Sequence, residues 1–288
     1  MTMRLKQHIM AALAFVLVCA GGAYAQQEWR FTLWDVAAEQ EQSIADAVPD
    51  LALARIVYVG ESHDQLSHHL GQLEVIRALR RAGHDIAVGL EMFERREQES
   101  LDAWLAGDMD ERAFMSVFRR NWGDMWPLYR AIFVYCRDES IPMVGLNVPR
   151  SVTRKVAREG FESLTQEEIG MLPPIACNVT PQYEAFLRRV VGAHGRDESE
   201  FRRFCEAQLV WDTAMAVHAL EYLENHPATS MVVLTGAVHA WRPAMPLQVW
   251  RQKPSTAQRI ILPRIEGRLD IGAVDTEDCD YLMFGVEE

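Results

Sequence analysis

The sequence predicts an α/β fold with a largely parallel β-sheet flanked by helices. Four short apolar runs rich in β-branched residues recur along the chain, at 55–59, 86–90, 141–146 and 231–234. Such runs are typical of strands that are buried on both faces. Helical stretches separate the runs, and neighbouring parallel strands need crossover connections of this kind.

The helices are predicted from apolar residues at helical spacing and from residues that end helices. Leu66, Leu70, Leu73 and Ile76 give one apolar face to a helix over 65–82 that ends at Gly83. By the same criteria, further helices are predicted at 94–138 (with breaks at Gly107, Gly123 and Pro127), 150–172, 181–193 and 200–224. Two strands, at 260–265 and 281–286, are expected to be added at an edge of the sheet.

Residues 1–25 have the pattern of a secretory signal peptide. Arg4 and Lys6 precede an uncharged apolar stretch, and Ala23-Tyr24-Ala25 matches a small-x-small cleavage site. The stretch is shorter than the roughly 20 residues needed to cross a bilayer. We expect 26–288 to form a single domain that is secreted across the inner membrane into the periplasm or envelope.

Two other forms of membrane attachment remain as alternatives. The apolar stretch would act as an anchor if it were retained. A lipid-anchored Cys19 is disfavoured because Val18 does not match the small residue that precedes a lipidated cysteine.

Composition and charge exclude several classes of protein. Hydrophobic residues make up 49% of the chain, which excludes a disordered or collagen-like protein. The formal net charge is -12, and no basic block is present. Binding to nucleic acid or to anionic lipid needs clustered Lys and Arg, so neither partner is expected.

Four cysteines follow the predicted signal peptide, and an oxidising compartment would permit disulfides between them. Sequence does not choose among the three possible pairings. None is expected to be a catalytic nucleophile, and their spacing is not that of a zinc site. These cysteines are Cys136, Cys177, Cys205 and Cys279.

Polar residues follow each of the four predicted strands. The carboxyl ends of parallel strands share one edge of a sheet, where ligands commonly bind. The sequence therefore predicts a polar crevice at that edge. The residues placed there are Glu61, His63, Glu91, Asn147, Arg150 and His239.

Two Gly-x-x-His segments, Gly60 to His63 and Gly236 to His239, lie at ends of these strands. Glycine permits a sharp turn, so both imidazoles are expected to point into the crevice. Together with Glu61 and Glu91 they would suit zinc, manganese or iron. Alternatively, the imidazoles bond backbone carbonyls and the carboxylates cap helices. Arg150 is either an anion clamp or an ion-pair partner of Glu91 or Glu61.

Helical residues extend the predicted site. Gln208 and Asp212 share one face of the long helix, and burying them without partners would be costly, so this face is expected to look toward the crevice. His68, in the first turns of the helix over 65–82, is a further candidate. The aromatic run at 122–129 would form either a wall for a flat ligand or part of the core.

Five segments in order resemble the haem-binding uptake family typified by the ChaN lipoproteins, within the Tiki/TraB/erythromycin-esterase-like group. The resemblance covers about 50 to 285. The segments are VYVGESHDQLSHH (57–69), GLEMF (89–93), IPMVGLNVPR (141–150), AQLVWDTAMA (207–216) and VVLTGAVHA (232–240).

This resemblance implies an α/β fold and a role in haem or iron acquisition at the bacterial envelope. Haem-binding members hold two stacked haems between two subunits, with a tyrosine as iron ligand shortly after the second Gly-x-x-His. Here Ala240-Trp241-Arg242-Pro243 follow His239, so His239 or a tyrosine from another element would have to contact the iron. The implied partners are haem or an iron-containing small molecule, a second copy of the chain and envelope transport components.

Two main hypotheses of function follow. The first is a secreted protein that binds haem or iron. The second is a metal-dependent hydrolase of the protease or esterase type that the wider group contains, with Glu61 or Glu91 as general base. The chain has no Gly-x-Ser-x-Gly elbow, so a serine triad is not expected. A third hypothesis is a degenerate site with a structural or partner-binding role.

Overall fold

A sheet of eight strands forms the centre of the protein. The structure is a computed structural model that describes residues 29–192 and 197–287. In the order β2-β1-β8-β7-β3-β6-β4-β5, the six strands from β8 to β5 are parallel to one another, and β1 pairs antiparallel with both β8 and β2. The predicted fold class is confirmed. The strands are β1 (Trp29–Asp35), β2 (Gln40–Ser43), β3 (Ile56–Glu61), β4 (Ile86–Glu94), β5 (Met143–Asn147), β6 (Ser230–Gly236), β7 (Gln258–Pro263) and β8 (Tyr281–Glu287).

Helices cover both faces of the sheet. Along β3, Val57 and Val59 pack against α1 to α5 on one face, and Ile56 and Tyr58 pack toward α8 to α11 on the other. The helices are α1 (Ile44–Leu51), α2 (Leu66–Arg81), α3 (Gln98–Ala106), α4 (Glu111–Trp122), α5 (Trp126–Asp138), α6 (Arg150–Glu159), α7 (Gln166–Ile169), α8 (Pro181–Val191), α9 (Glu198–Asn225), α10 (Ala237–Ala240) and α11 (Met245–Gln252), with 3-10 turns at Arg95–Glu97 and Phe161–Ser163.

The central strands and long helices agree with the sequence prediction. Gly83, Gly107 and Gly123 end helices with φ of 84°, 79° and 75°, a region that favours glycine. Pro127 differs from its prediction, because it lies in the first turn of α5 rather than at a break. A proline is tolerated there since the first amides of a helix have no partner within the helix.

The C-terminal strands lie inside the sheet rather than at its edge. β7 pairs with β3, and β8 lies between β7 and β1. The edge on this side is formed by β1 and β2, which the sequence analysis did not predict. Residues 29–33 alternate apolar and polar side chains, which is typical of a half-buried strand, but the sequence analysis did not use this pattern. The first residue of β1, Trp29, pairs with Glu287 at the end of β8.

Gly60 allows close packing rather than a sharp turn. It lies within β3, and a Cβ there would be 3.1 Å from Cα of Ala237 and 3.2 Å from Cβ of Ala240. The absence of a side chain therefore lets the short helix α10 lie directly on the strand.

The predicted signal peptide lies outside the described residues. Within 29–192 and 197–287, no helix has both the length and the apolar character of a membrane span.

All four cysteines of the described residues are free thiols. Burial raises the pKa of Cys136, Cys177 and Cys205 to about 12 and also raises the pKa of Cys279. The structure thus contains none of the three disulfide pairings that the sequence left open. Such high pKa values leave little of these thiols in the reactive thiolate form at neutral pH.

Candidate functional site

A cavity of about 540 Å³ opens at the carboxyl edge of the parallel strands. This volume falls within the range of small-molecule sites. Its apolar lining includes Trp122, Trp211 and Trp241. Of the nine residues that the sequence predicts for the site, seven line this cavity: Glu61, His63, Glu91, Asn147, Arg150, Gln208 and His239.

His63 is held by a buried carboxylate. Its Nδ1 lies 2.5 Å from Oε1 of Glu61, whose side chain is fully buried at the end of β3. The hydroxyl of Tyr129 donates to the same oxygen at 2.9 Å. Burial would lower the pKa of His63, but the hydrogen bond to Glu61 and the charges of Glu91, Glu61 and Asp64 raise it to about 9. The ring nevertheless remains 47% exposed, with its edge near Trp122.

His239 lies deeper and contacts two carboxylates. Its side chain is 8% exposed, Nδ1 donates to Oδ1 of Asp212 at 2.7 Å, and Nε2 is 3.7 Å from Oε1 of Glu91. Burial would lower the pKa of His239, but the negative charges of Glu91 and Asp212 raise it. Asp212 also accepts a hydrogen bond of 2.5 Å from the hydroxyl of Tyr183, and its burial raises its pKa.

Glu91 lies within β4 and reaches across to β6. Its Oε2 accepts hydrogen bonds from the hydroxyl of Thr235 at 2.5 Å and from the amide of Gly236 at 2.7 Å. Burial would raise the pKa of Glu91, but the charges of His239 and His63, together with these bonds, lower it. Glu91 therefore stays anionic between the two imidazoles.

Asn147 and Arg150 differ in how they are held. Nδ2 of Asn147 donates to the carbonyl of Glu91 at 2.7 Å, which ties the end of β5 to β4. Arg150 begins α6, and its Nη1 donates to the carbonyl of Asn121 at 3.2 Å. Among the described residues Arg150 forms no ion pair with Glu91 or Glu61, so the supporting ion pair that the sequence allowed is not observed.

His68 and Asp212 do not line the cavity. Nδ1 of His68 accepts the amide hydrogen of Ser62 at 2.9 Å, and its ring faces a separate, smaller cavity beside Arg264. Asp212 lies behind His239 and positions that imidazole. The position of His68 depends on where its side chain points at the start of α2, and that of Asp212 depends on a contact between α9 and α10. Residue spacing determines neither.

The aromatic run at 122–129 divides between the two expected roles. Trp122 lines the cavity, whereas Trp126 and Tyr129 are buried in the core. Arg268, which the sequence analysis missed, also lines the cavity. Arg268 lies in the connection between β7 and β8. Nothing in the sequence of this connection indicates that it lies beside the carboxyl ends of the other strands.

The predicted metal ligands surround the cavity without forming a metal site. Among the described residues, no group of three or more His, Cys, Asp or Glu side chains is placed to hold a metal ion. Oε1 of Glu61 accepts from His63 and Tyr129, and Oε2 of Glu91 accepts from Thr235 and Gly236, whereas Oε2 of Glu61 is buried without a hydrogen-bond partner. Nor is a tyrosine found among the cavity-lining residues in the described part of the chain.

Comparison with known proteins identifies the family. The sequence model described as "Haem-binding uptake, Tiki superfamily, ChaN" matches residues 47–249. The chain belongs to this family. Its fold is similar to that of ChaN of Campylobacter jejuni, solved with cofacial haem, with a TM-score of 0.69, 19% identity, and coverage of 90% of this chain and 97% of that chain.

Two other proteins are also similar to this chain. A mutant of the erythromycin esterase EreC shares the fold, with a TM-score of 0.50, 14% identity, and coverage of 90% of this chain and 83% of that chain. Protein RETICULATA-RELATED 5, chloroplastic, of Arabidopsis thaliana is 25% identical over 228 residues, which are 73% of this chain and 31% of that protein. The match thus spans about a third of the length of that curated relative.

Proposed function

We propose that this protein binds haem in the cavity at the carboxyl edge of its sheet and acts in haem or iron acquisition. Membership of the haem-binding uptake family supports haem as the ligand. The observation that carries the proposal is a half-exposed imidazole, His63, in a cavity whose walls include three tryptophans.

The residues present fit a haem group. A porphyrin is flat and apolar, and the tryptophans, together with Met125 and Leu269, provide apolar surface for it. Its iron needs a nitrogen, oxygen or sulfur ligand from the protein. Bound haem would supply a redox-active iron whose properties that ligand sets.

His63 is better placed than His239 to be the iron ligand. No described residue forms a hydrogen bond with Nε2 of His63, and its Nδ1 donates to Glu61. Because the pKa of His63 is about 9, Nε2 must lose its proton before it can bind a metal. Iron-binding histidines commonly donate their other nitrogen to a carboxylate in this way. Both nitrogens of His239 face carboxylates, and its ring is nearly buried. We therefore assign to His63 the iron-ligand role for which the family resemblance implies a tyrosine.

Hemin titration followed by absorbance tests the proposal. Wild-type protein is expected to shift the Soret band of hemin with saturation, and His63→Ala is expected to bind about tenfold more weakly or worse. His239→Ala is also expected to weaken hemin binding, because it removes the imidazole whose positive charge lies beside the Glu91 carboxylate. His226→Ala is the matched control, since His226 is exposed and stacks on Tyr222 away from the cavity.

Unchanged hemin absorbance with wild-type protein would contradict the proposal. Elemental analysis of the same sample then separates the remaining hypotheses. A stoichiometric divalent metal would favour the metal-dependent hydrolase, and its absence together with unchanged absorbance would favour a structural or partner-binding role.

We also propose that residues 1–25 direct export and are removed. Edman sequencing of protein recovered from the periplasmic fraction is expected to begin at Gln26. Recovery from the cytoplasm with residue 1 or 2 at the N-terminus would contradict this.

A further inference from the structure

Two arginines line the cavity without a carboxylate partner. Arg150 and Arg268 are both exposed, and neither forms an ion pair among the described residues. By contrast, Arg189 and Arg264, which are close to Arg268 in the fold or the sequence, are paired with aspartates. The two guanidinium groups are therefore available to a ligand.

The position of Arg150 is fixed from two sides. It is the first residue of α6, and its backbone amide donates to Oε1 of Glu94 at 3.3 Å. Its Nη1 donates to the carbonyl of Asn121, and the guanidinium lies 5.8 Å from the ring centroid of Trp122. One nitrogen is thus used by the protein, and Nε and Nη2 remain.

The position of Arg268 is fixed by a tight turn. Ile265 and Leu269 exchange both backbone hydrogen bonds at 2.8 Å, and Gly267 at the tip has a φ of 72°. Nη2 of Arg268 donates to the carbonyl of Val190 at 2.6 Å. As in Arg150, two guanidinium nitrogens remain for a ligand. Because both side chains are already held by the protein, they lose little conformational freedom when a ligand binds.

The cavity's own carboxylates do not neutralise these arginines. Glu61 and Glu91 are buried at the strand ends and already bond His63, Tyr129 and Thr235. Their charges lie beneath the imidazoles, whereas the guanidinium groups lie in solvent. Among the residues that line the cavity, the charged side chains that reach solvent are therefore the two guanidinium groups and the half-exposed imidazole of His63.

We propose that Arg150 and Arg268 bind the carboxylate groups of the ligand, so that the cavity selects a porphyrin with free acid groups over its neutral ester. This inference rests on the proposed haem-binding function. Guanidinium groups pair with carboxylates through two parallel hydrogen bonds, which gives direction as well as energy. Haem carries two propionate groups, and the cavity offers two arginines that form no ion pair among the described residues.

Parallel titrations with hemin and with hemin dimethyl ester test this proposal, since the ester keeps the iron and the ring but removes both charges. Wild type is expected to bind hemin about tenfold more tightly than the ester, because each exposed pair contributes a factor of about three. Arg150→Gln and Arg268→Gln are each expected to lower that preference about threefold, and the double variant is expected to abolish it. Arg154→Gln, exposed one turn further along α6 and outside the cavity lining, is the matched control.

The outcomes separate this inference from the function on which it rests. If wild type binds neither porphyrin, haem binding itself is contradicted. If wild type binds both porphyrins equally, or the double variant keeps the preference, carboxylate recognition by these arginines is overturned while haem binding stands. The preference should also shrink at high salt, because exposed charges are screened.

Discussion

Gly236 provides the space that the imidazole of His63 occupies. A Cβ at position 236 would lie 2.9 Å from Cε1 of His63, closer than carbon atoms normally approach. Gly236 has a φ of -54°, which any residue adopts, so the backbone does not require glycine here. The second Gly-x-x-His segment therefore serves the histidine of the first.

Gly236→Ala is expected to displace His63 and weaken hemin binding by about tenfold, as other disturbances of a ligand's surroundings do. Soret titration measures the loss, and thermal unfolding checks that the fold remains. If Gly236→Ala acts through His63, it should cause little further loss of hemin affinity in a protein that already carries His63→Ala. An equal loss in both backgrounds would mean that Gly236 acts by another route.

Tyr129→Phe should destabilise the fold by about 1–3 kcal/mol, because it leaves a buried carboxylate with one hydrogen bond fewer. The Tyr129 hydroxyl donates to Glu61 and accepts from Nε1 of Trp122 at 3.2 Å, so two polar groups lose a partner. Urea unfolding measures the change. Tyr135→Phe, on the same helix but with its ring partly exposed under Arg77, is the control and should change stability little. Equal losses in both variants would contradict the role of the Glu61 contact.

Asp50→Asn should reduce stability at neutral pH and matter less in acid. Asp50 accepts from Nε and Nη2 of Arg259 at 2.7 and 2.6 Å and from the Tyr281 hydroxyl at 2.6 Å, which joins α1 to β7 and β8. The hydrogen bond with Arg259 lowers the pKa of Asp50 below its ordinary value despite partial burial.

Because that pKa is lower in the folded state, the contribution of Asp50 is present above the ordinary carboxyl pKa of about 4 and is lost as pH falls below it. Urea unfolding at several pH values should show the two proteins converging in acid. Asp108→Asn, at an exposed position on a loop, is the control. A difference between wild type and Asp50→Asn that does not shrink below about pH 4 would contradict the assignment.

The native protein should resist thiol alkylation at pH 8. Cys136, Cys205 and Cys279 are buried, and the raised pKa values leave little thiolate. Half-buried Cys177 should react first, though slowly. Mass mapping of alkylated peptides, with denatured protein as the fully labelled reference, follows each cysteine. Protection that survives denaturation but disappears on reduction would reveal a disulfide and contradict the structure.

Local patterns were enough to predict most of the fold, and they failed where long-range contacts decide the structure. The buried strands and amphipathic helices carry their own signals, and the shared edge of a parallel sheet brings Glu61, Glu91 and Asn147 together. The pairing of His239 with Asp212 joins residues 27 positions apart, and that of Tyr129 with Glu61 joins residues 68 apart. No spacing rule relates such pairs.

The imidazoles of both Gly-x-x-His segments line one cavity, but the two glycines act differently from what the sequence analysis expected. The expected role was a turn, whereas Gly60 and Gly236 are required for close packing against Ala237 and His63. Arg268 was missed because it lies in a polar connection after β7. Its position beside the cavity depends on the place of β7 in the sheet, between β8 and β3.

The pairing of Trp29 with Glu287 has a practical consequence for handling this protein. β8 runs parallel to the strands that end at the cavity, so residues 29 and 287 both lie on the cavity's side of the sheet. A tether fused near either residue would hold the cavity toward the support to which it is attached. Surface immobilisation for binding measurements should instead use an engineered attachment point on the opposite side, such as the exposed Leu53 before β3.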